Sequence, residues 1–258
     1  MAMGRDNDRK KRADENRMSE GDNTSDKETP KSGRLRKGRP PGRRSHNGNL
    51  NARILEEATK ADIIEVATAE FVRTGYDGAS INVIASKTKT SKMMLYYHFE
   101  NKAGLYRAVL EAAYQRMVKD RPSEDLTLLP PLDGLRRYAE RAFELHFTHP
   151  DFVRLVMAEN LNDARTISSS DVIRTRTAIN ISELDKIVDN GKRQGVIRQD
   201  CDAKELYLVI NGLAFHAVSN MATLRISMGL DLNNPEVEAF RKRLLADVAY
   251  RFAVQTEI

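Results

Sequence analysis

The stretch from Ser80 to Lys102 constrains the fold more than any other part of the chain, because it predicts two short helices joined by a tight turn. Ser80 and Ser91 each stand just before a short helical pattern, where a serine hydroxyl can accept hydrogen bonds from the first backbone N–H groups. In the second helix Leu95 and Phe99 form an apolar pair four residues apart, and lysine, methionine and tyrosine side chains occupy the opposite face. A short helix with an apolar back and a donor-rich front has the properties needed to read the major groove of DNA.

The residues around this second helix also carry a family resemblance. The run Leu-Tyr-Tyr-His-Phe at positions 95–99, followed by Glu-Asn-Lys-Ala-Gly-Leu-Tyr at positions 100–106, resembles the DNA-binding domain of the TetR family of transcriptional regulators. The resemblance covers residues 57–117, and it also includes Ile63, Ala67, Phe71, Gly75, Tyr76, Ser80, Ile84 and Ala85. It implies a helix-turn-helix protein that binds double-stranded DNA as a homodimer and carries a helical domain for a small-molecule effector.

The resemblance assigns candidate DNA contacts residue by residue. On the second helix, Lys92, Met93 and Tyr96 match positions that face bases, and Asn82 on the supporting helix matches another. Phosphate contacts place a protein on the duplex without reading its sequence. In the family, five positions that contact phosphates are matched here by Ser80, Ser91, Tyr97, His98 and Lys102. We add Lys89 in the turn, which stands where glycine is usual in the family, so we expect a positive φ there.

Positive charge is concentrated in the first 50 residues. They hold 14 lysine and arginine residues against eight acidic ones, a net charge of +6, whereas the rest of the chain has a net charge of −1. This segment has few large apolar residues and cannot bury enough apolar surface to fold alone, so we expect it to be a disordered extension. Residues 33–44 contain six basic side chains, and Lys37-Gly38-Arg39-Pro40-Pro41 resembles an AT-hook, which would place Arg39 in the minor groove. The alternative is a solvated basic tail that holds DNA without reading its sequence.

Apolar residues from residue 52 onward recur with a period near 3.6, and no stretch alternates convincingly with a period of two, so the chain predicts an all-α fold. After the two short helices, the expected starts of helices are Asn101, Asp133, the run Ser168-Ser169-Ser170-Asp171, Asp202 and Asn234. The helix from Asp202 is expected to run toward Gly229. We divide the chain into a disordered basic extension at 1–50, a helix-turn-helix domain at 51–117 and a helical ligand-binding and dimerisation domain at 118–258.

The last two predicted helices carry broad apolar faces. Such faces can pack within one domain or meet their copies in a four-helix bundle, and the resemblance implies the second, a homodimer through these helices. A dimer also fits the physics of DNA reading, because one short helix contacts few bases and two supply two half-sites. The residues of these faces are Leu206, Ile210, Leu213, Ala217, Met221 and Leu224, then Val237, Phe240, Leu244, Leu245, Val248 and Phe252.

An effector pocket in the C-terminal half is implied by the same resemblance. Aromatic and soft side chains could form its apolar wall, and two polar side chains could orient a ligand. The alternative is that these residues are ordinary core. The candidates are Tyr114, Phe143, Phe147, Phe152, Met157, Asn160, Phe215 and His216.

Catalytic and metal-binding patterns are weak in this sequence. There is no nucleophile motif and no phosphate-binding glycine-rich loop of the Gly-x-x-x-x-Gly-Lys type. His146 and His149 beside Asp151 could hold a metal, but no further cluster completes a site, so we interpret them as cationic histidines near a helix C-terminus. Cys201 lies between two aspartates, which predicts a raised thiol pKa. We therefore expect no enzyme activity, no cofactor and no metal.

The chain lacks an apolar N-terminal segment, and its most apolar stretch, 206–218, is too short to cross a bilayer. We therefore expect a cytoplasmic protein that has no membrane partner. The favoured function is a ligand-released repressor that binds a palindromic operator as a dimer. The alternatives from other classes are an architectural chromosome-binding protein that uses the basic tail without an effector, and an enzyme with a helical fold.

Overall fold

The computed structural model describes residues 46–254, and within this range the chain is helical and contains no strand. The N-terminal part comprises α1 (His46–Gly78), α2 (Ile81–Lys87), α3 (Lys92–Phe99) and α4 (Lys102–Lys119). The C-terminal part comprises α5 (Pro131–Thr148), α6 (Pro150–Leu161), α7 (Asp171–Arg193), α8 (Ala203–Ser219), α9 (Met221–Met228) and α10 (Pro235–Ala253). The predicted all-α fold is confirmed.

Side-chain caps begin most of these helices where the sequence predicts them. Asn101 accepts a hydrogen bond from the Gly104 N–H at 2.9 Å, and Asp202 accepts two, from the N–H groups of the second and third helical residues. Asn234 likewise accepts from the Glu236 N–H at 2.9 Å. Asp133 is the exception: the N-cap of α5 is Pro130, three residues before the predicted cap, and the helix begins at Pro131, because proline fits the first helical position without needing an N–H partner.

Two helix boundaries differ from the prediction. α1 begins at His46, six residues before the expected start, and it is interrupted at Gly75, which has φ 74°. The single helix expected from Asp202 toward Gly229 is two helices, α8 and α9, separated by Asn220. The Asn220 side chain donates to the carbonyl oxygen of His216 at 3.1 Å, and such local bonds compete with the regular helical pattern.

The first hydrophobic core lies among α1, α2, α3, α4 and α6. Phe71 of α1 and Tyr106 of α4 are fully buried, with ring centroids 4.8 Å apart, and Leu95 of α3 is buried with them. Burying a side chain of this size stabilises the fold by about 1.5–3 kcal/mol. Helix α6 belongs to the C-terminal part, yet it adds Phe152, Val153 and Leu155 to this core.

The second core surrounds α5, which packs against α7, α8 and α10. Buried residues of α5, including Leu135, Ala139 and Phe143, meet Leu206 of α8 and Leu245 of α10 in this cluster. Because α6 and α8 also contact each other, the two cores are connected through the helices that lie between them. The predicted domain limits at residues 50 and 117 stay predictions.

The predicted disordered extension lies almost wholly outside the described residues, and so do Arg39 and the AT-hook-like segment 33–44. Residues 46–50 of that extension belong instead to the first turns of α1. Across the part that is described, none of the helices combines the length and the apolar character that a membrane crossing requires.

Candidate DNA-binding surface and internal cavity

Helix α3 has one face in the core and one in solvent. Ser91 accepts a hydrogen bond from the Met94 N–H at 3.1 Å, which starts the helix at Lys92. Leu95 is fully buried beneath it, whereas Met93 is 78% exposed. Lys92 and Tyr97 share the exposed face, so most of the residues predicted to contact DNA on this helix are accessible together.

The turn before α3 depends on a left-handed residue. Ser80 caps α2 through the Val83 N–H, and the exposed Asn82 follows in its first turn. Lys89 has φ 51°, as expected from its place in the turn, and the N–H of the next residue, Thr90, reaches the Ala85 carbonyl at 3.0 Å. This left-handed conformation is sterically unfavourable for a residue other than glycine. At Lys89 it reverses the direction of the chain between α2 and α3.

Tyr96 and His98 are less exposed than the rest of the predicted contacts. Tyr96 is half-buried against the first core, and the Lys92 Nζ lies 5.5 Å from its ring centroid. The side chain of His98 is only 4% exposed, and its Nδ1 lies 3.9 Å from the Glu56 carboxylate of α1. The ring is therefore turned into the domain, and this placement does not favour the predicted phosphate contact by the His98 side chain.

The junction of α3 with α4 is closely packed. Glu100 has φ 65°, and a Cβ added at Gly104 would overlap the carbonyl oxygen of Phe99, so only glycine fits at this point of α4. Lys102 donates to the Asp77 carbonyl at 3.2 Å, and its Nζ lies 5.0 Å from the Tyr76 ring centroid. Helix α4 is thereby held both to the end of α3 and to the last turn of α1.

Glu70 of α1 is a residue of this domain that the sequence analysis missed. Its side chain is 1% exposed, and its carboxylate accepts hydrogen bonds from Arg73 at 2.9 and 3.0 Å and lies 3.5 Å from Lys87 of α2. The hydrogen bond from Arg73 is the main reason that the pKa of the Glu70 carboxyl lies below its usual value; the Ser80 N–H and Lys87 lower it further. The sequence did contain a signal for the burial of Glu70, because it lies seven residues after Ile63 and therefore on the same apolar face of the helix.

A cavity of about 350 Å³ lies between α4, α5, α6, α7 and α8. It brings together four of the eight residues predicted to line a pocket. The centroid of the Tyr114 ring lies 4.9 Å from that of Phe152, and the His146 ring lies edge-on to both Phe152 and Phe215. The four predicted residues on its wall are Tyr114, Phe152, Asn160 and Phe215.

The other four candidates lie elsewhere. Phe143 and His216 line a second hollow of about 280 Å³, between α5, α8, α9 and α10. Phe147 packs against both cores and lines neither space, and Met157 is 37% exposed at the surface of α6. Helical spacing shows which face of a helix is apolar, but the neighbouring helices decide whether that face meets a cavity or the core.

One side of the cavity is polar, and the sequence analysis did not identify it. Arg141 of α5 is 3% exposed, and both Arg141 and Arg121 donate to the same carboxylate oxygen of Glu183 on α7. Arg121 also donates to the Asn180 side chain at 3.1 Å, and the Tyr138 hydroxyl donates to the Asn180 carbonyl at 3.3 Å. The sequence did contain a signal for this polar side. Arg141 lies three residues after Tyr138, on the buried face of α5, where a charged side chain requires a partner.

His146 differs from the expectation of a cation at a helix end. His146 is buried, its Nδ1 lies 2.7 Å from the Ala142 carbonyl oxygen, and burial lowers the pKa of its ring, so the neutral form is favoured. His149 lies 3.3 Å from the Asp120 carboxylate. Over residues 46–254, no group of three or more histidine, cysteine or acidic side chains is arranged to hold a metal ion.

Cys201 is buried, and the pKa of its thiol is raised, mainly by that burial. The neighbouring Asp200 and Asp202 raise it further, as the sequence predicted, while Arg198 and Lys192 oppose them. The direction is therefore as predicted, but its main cause is the loss of solvent around the thiol. A buried thiol that remains protonated is a poor nucleophile.

Comparison with known proteins decides the family. Residues 63–109 match the family model described as bacterial regulatory proteins of the tetR family. Residues 131–249 match the model described as a tetracyclin repressor-like C-terminal domain. The chain belongs to the TetR family. It is a DNA-binding transcriptional regulator, in a family whose members act as dimers on DNA, and no finding supports the architectural alternative.

Relatives within the TetR family cover most of the chain. The transcriptional repressor NicS of Pseudomonas putida is 27% identical over 76% of this chain and 92% of its own length. The repressor SCO4008 of Streptomyces coelicolor is 30% identical over 67% of this chain and 85% of its own length. The solved structure of a tetR-family regulatory protein from Rhodococcus RHA1 is 15% identical, with a TM-score of 0.61 over 77% of this chain and 98% of its own, and shows the shared fold.

Proposed function

We propose that this TetR-family regulator is a cytoplasmic repressor that binds a palindromic operator as a homodimer and leaves it when a small molecule occupies the cavity. The observation that carries this proposal is the position of α4. Its first turn packs against the end of α3, and its later residues Tyr114, Met117 and Val118 line the cavity. A ligand that displaces these residues would move the helix that holds the reader in place.

Release from DNA follows if the ligand binds one arrangement of the dimer better than the other. A ligand can shift an equilibrium only by the difference between its affinities for the two states. Two recognition helices on one face of the duplex must be about 34 Å apart to enter successive major grooves. A ligand-bound form with a different separation would lose one of the two half-sites and most of its operator affinity.

The dimer interface is proposed to lie on α8 and α10. Four large apolar residues of these helices are exposed in the single chain. They are Leu208 (62%) and Leu213 (47%) on α8, and Phe240 (53%) and Leu244 (39%) on α10. Leu213 and Leu244 lie together on the wall of the second hollow, and contiguous exposed apolar surface supports association. Repression rather than activation is supported by the names of NicS and SCO4008, both of which are repressors.

The test of this function is the selection of bound DNA from a random pool, followed by footprinting of the site obtained. We expect a palindrome with half-sites about one helical turn apart. In variants, Lys92→Ala and Tyr96→Phe should each cost about 1–3 kcal/mol at the operator and much less on random DNA, because base contacts carry the specificity. Lys186→Ala, an exposed lysine of α7, is the matched control and should leave both affinities unchanged.

Two results would contradict the proposal. Equal losses on operator and random DNA would remove base reading from Lys92 and Tyr96. A footprint with no preferred sequence, dependent on the basic N-terminal segment, would instead favour an architectural DNA-binding protein.

A further inference from the structure

The polar side of the cavity has more positive charge than the one carboxylate that its arginines contact can balance. Arg121 and Arg141 both donate to one oxygen of Glu183, so one negative charge serves two guanidinium groups. The Nη1 of Arg141 is buried and has no hydrogen-bond partner among the described residues. A buried donor without a partner costs about 1–3 kcal/mol, and more when it is charged. The Arg141 guanidinium, whose side chain is part of the cavity wall, therefore lacks one acceptor.

A third arginine increases this imbalance. Arg176 of α7 also lines the cavity and is half-buried, and it forms no ion pair within residues 46–254. No aspartate or glutamate is part of the described cavity wall. Glu159, next to the wall residue Asn160, is already engaged by the backbone N–H groups of Thr166 and Ile167.

The other titratable groups of the wall cannot supply negative charge at neutral pH. Burial is the main cause that raises the pKa of the Tyr114 hydroxyl, to about 12, and it raises the pKa values of Tyr138 and Tyr207 as well. Burial lowers the pKa of His146, which is therefore neutral. The burial that lowers the pKa of Arg141 is offset only in part by Glu183. A bound anion would remove this deficit.

Another part of the cavity wall is aromatic. Tyr114, Phe152, His146 and Phe215 form a series of rings that meet edge to face, with centroids 4.9 to 6.2 Å apart. Rings in this arrangement offer both faces and edges to a further planar ring, and such pairs stabilise beyond the area they bury. The cavity volume of about 350 Å³ is near the lower end of the range for drug-sized ligands.

We propose that the cavity takes an aromatic carboxylate, with the carboxylate bound by Arg141 and its neighbours Arg121 and Arg176, and with the ring packed on Phe152 and Phe215. This inference rests on the proposed function of the cavity as the effector site. Arginine suits the task because its planar guanidinium donates two parallel hydrogen bonds to a carboxylate. A neutral carboxamide of the same shape offers Arg141 only one acceptor oxygen and leaves the charge of the guanidinium unbalanced.

The test measures binding to the full chain by calorimetry in the absence of DNA. The probes are benzoate, naphthalene-2-carboxylate and biphenyl-4-carboxylate, each compared with its carboxamide, together with octanoate and inorganic phosphate. We expect at least one aromatic carboxylate to bind about tenfold or more tightly than its amide, since a charge-assisted bidentate pair is replaced by a weaker one. Octanoate and phosphate should bind more weakly than that carboxylate.

Variants locate the site. Arg141→Gln should abolish the preference for the carboxylate over the amide, because it should weaken carboxylate binding far more than amide binding. Because Arg141 is buried and its loss could impair folding, Arg176→Gln is the second variant, expected to weaken carboxylate binding several-fold while circular dichroism stays unchanged. Arg225→Gln on α9, an exposed arginine outside the cavity, is the control and should have no effect.

Several outcomes would overturn the proposal: no carboxylate binds, the amides bind as tightly as the acids, octanoate or phosphate binds as tightly as the aromatic acids, or both cavity variants retain the preference. Failure here is distinguishable from failure of the proposed function. If the carboxylates fail but the chain still binds a palindromic operator, only the ligand class is wrong. If the carboxylates bind but do not release the operator, the regulatory role is wrong.

Discussion

At the scale of single residues, Glu70 shows how a buried charge can position a DNA-reading element. It sits on the buried face of α1, where an unpaired carboxylate would be costly. Arg73 and Lys87 approach it from its own helix and from α2, and the Ser80 N–H lies at the start of α2. The carboxylate therefore joins the supporting helix of the reader to α1.

This position predicts a specific pH dependence. The pKa of Glu70 is lower in the folded chain than its ordinary value of about 4.3. Its contribution is therefore fully present at neutral pH and is lost as the pH falls below that value toward the folded pKa. Glu70→Gln should lower the free energy of unfolding by about 1 kcal/mol at pH 7, a moderate loss because Arg73 and Lys87 are exposed to solvent.

The measurement is thermal unfolding of wild type and variant between pH 3 and pH 7. The difference in melting temperature should shrink as the pH falls below about 4, since the wild-type carboxylate then becomes protonated too. Glu65→Gln, an exposed glutamate of the same helix, should show little difference at any pH. A Glu70→Gln effect of constant size across the range would mean that the charge of Glu70 does not support the domain.

At the scale of whole helices, α8 and α10 each have one buried face and one exposed apolar face. One face of each belongs to the second core, while the other leaves leucine and phenylalanine side chains exposed. The hollow between them and α9 is also apolar, with Leu213, Leu244 and Val248 on its wall. A second copy of the chain would cover this surface.

The proposed interface predicts the effect of placing charge on it. Leu213→Glu combined with Leu244→Glu should convert the dimer to a monomer, because unpaired carboxylates at an apolar contact are costly. Sedimentation velocity gives the oligomeric state, and circular dichroism shows whether the helices remain. The control is the pair Leu128→Glu and Leu161→Glu, which are 83% and 85% exposed and lie outside α8 and α10. A well-folded dimer from the first pair would place the interface elsewhere.

At the scale of the whole molecule, charge and DNA binding are separated along the chain. Residues 51–258 have a net charge of −1, although phosphate neutralisation supplies much of the affinity of DNA-binding proteins. The six basic residues between Gly33 and Arg44 come just before α1 in the sequence. We expect this segment to act as an arm that adds phosphate contacts.

Removing residues 1–44 should therefore weaken operator binding and flatten its salt dependence, by about 0.9 in slope for each lost phosphate contact. Titrations at several salt concentrations measure this slope. The matched control keeps the length of the chain and replaces the six basic residues by glutamine, and it should behave like the truncation. Identical slopes for wild type and both variants would contradict the role of the arm.

The sequence that flanks the operator distinguishes the two interpretations of the arm, minor-groove binding by Arg39 and non-specific charge. If Arg39 enters the minor groove, A·T-rich flanks should bind better than G·C-rich ones, and Arg39→Ala should remove that difference, because A-tracts narrow the groove and strengthen its negative potential. If the arm only supplies charge, the flanks should bind equally well.

Much of the reader could be predicted from the sequence because its determinants are local. The caps at Ser80, Ser91 and Asn101 act within three residues, and the positive φ of Lys89 follows from the turn that it occupies. The burial of Leu95 and Phe99 follows from helical period alone. These local patterns were sufficient to predict the all-α fold. Together with the run at positions 95–106, they were also sufficient to predict the TetR family.

Tertiary structure decided what depends on neighbours distant in sequence. Arg121, Arg141 and Glu183 come from different parts of the chain, and only packing brings them to one side of a cavity. Packing likewise turned His98 inward and left Phe143, Phe147, Met157 and His216 off the wall where Tyr114 and Phe152 meet. Helical period determines which side of a helix avoids water, but the helices that cover that side determine whether it becomes core, cavity or contact.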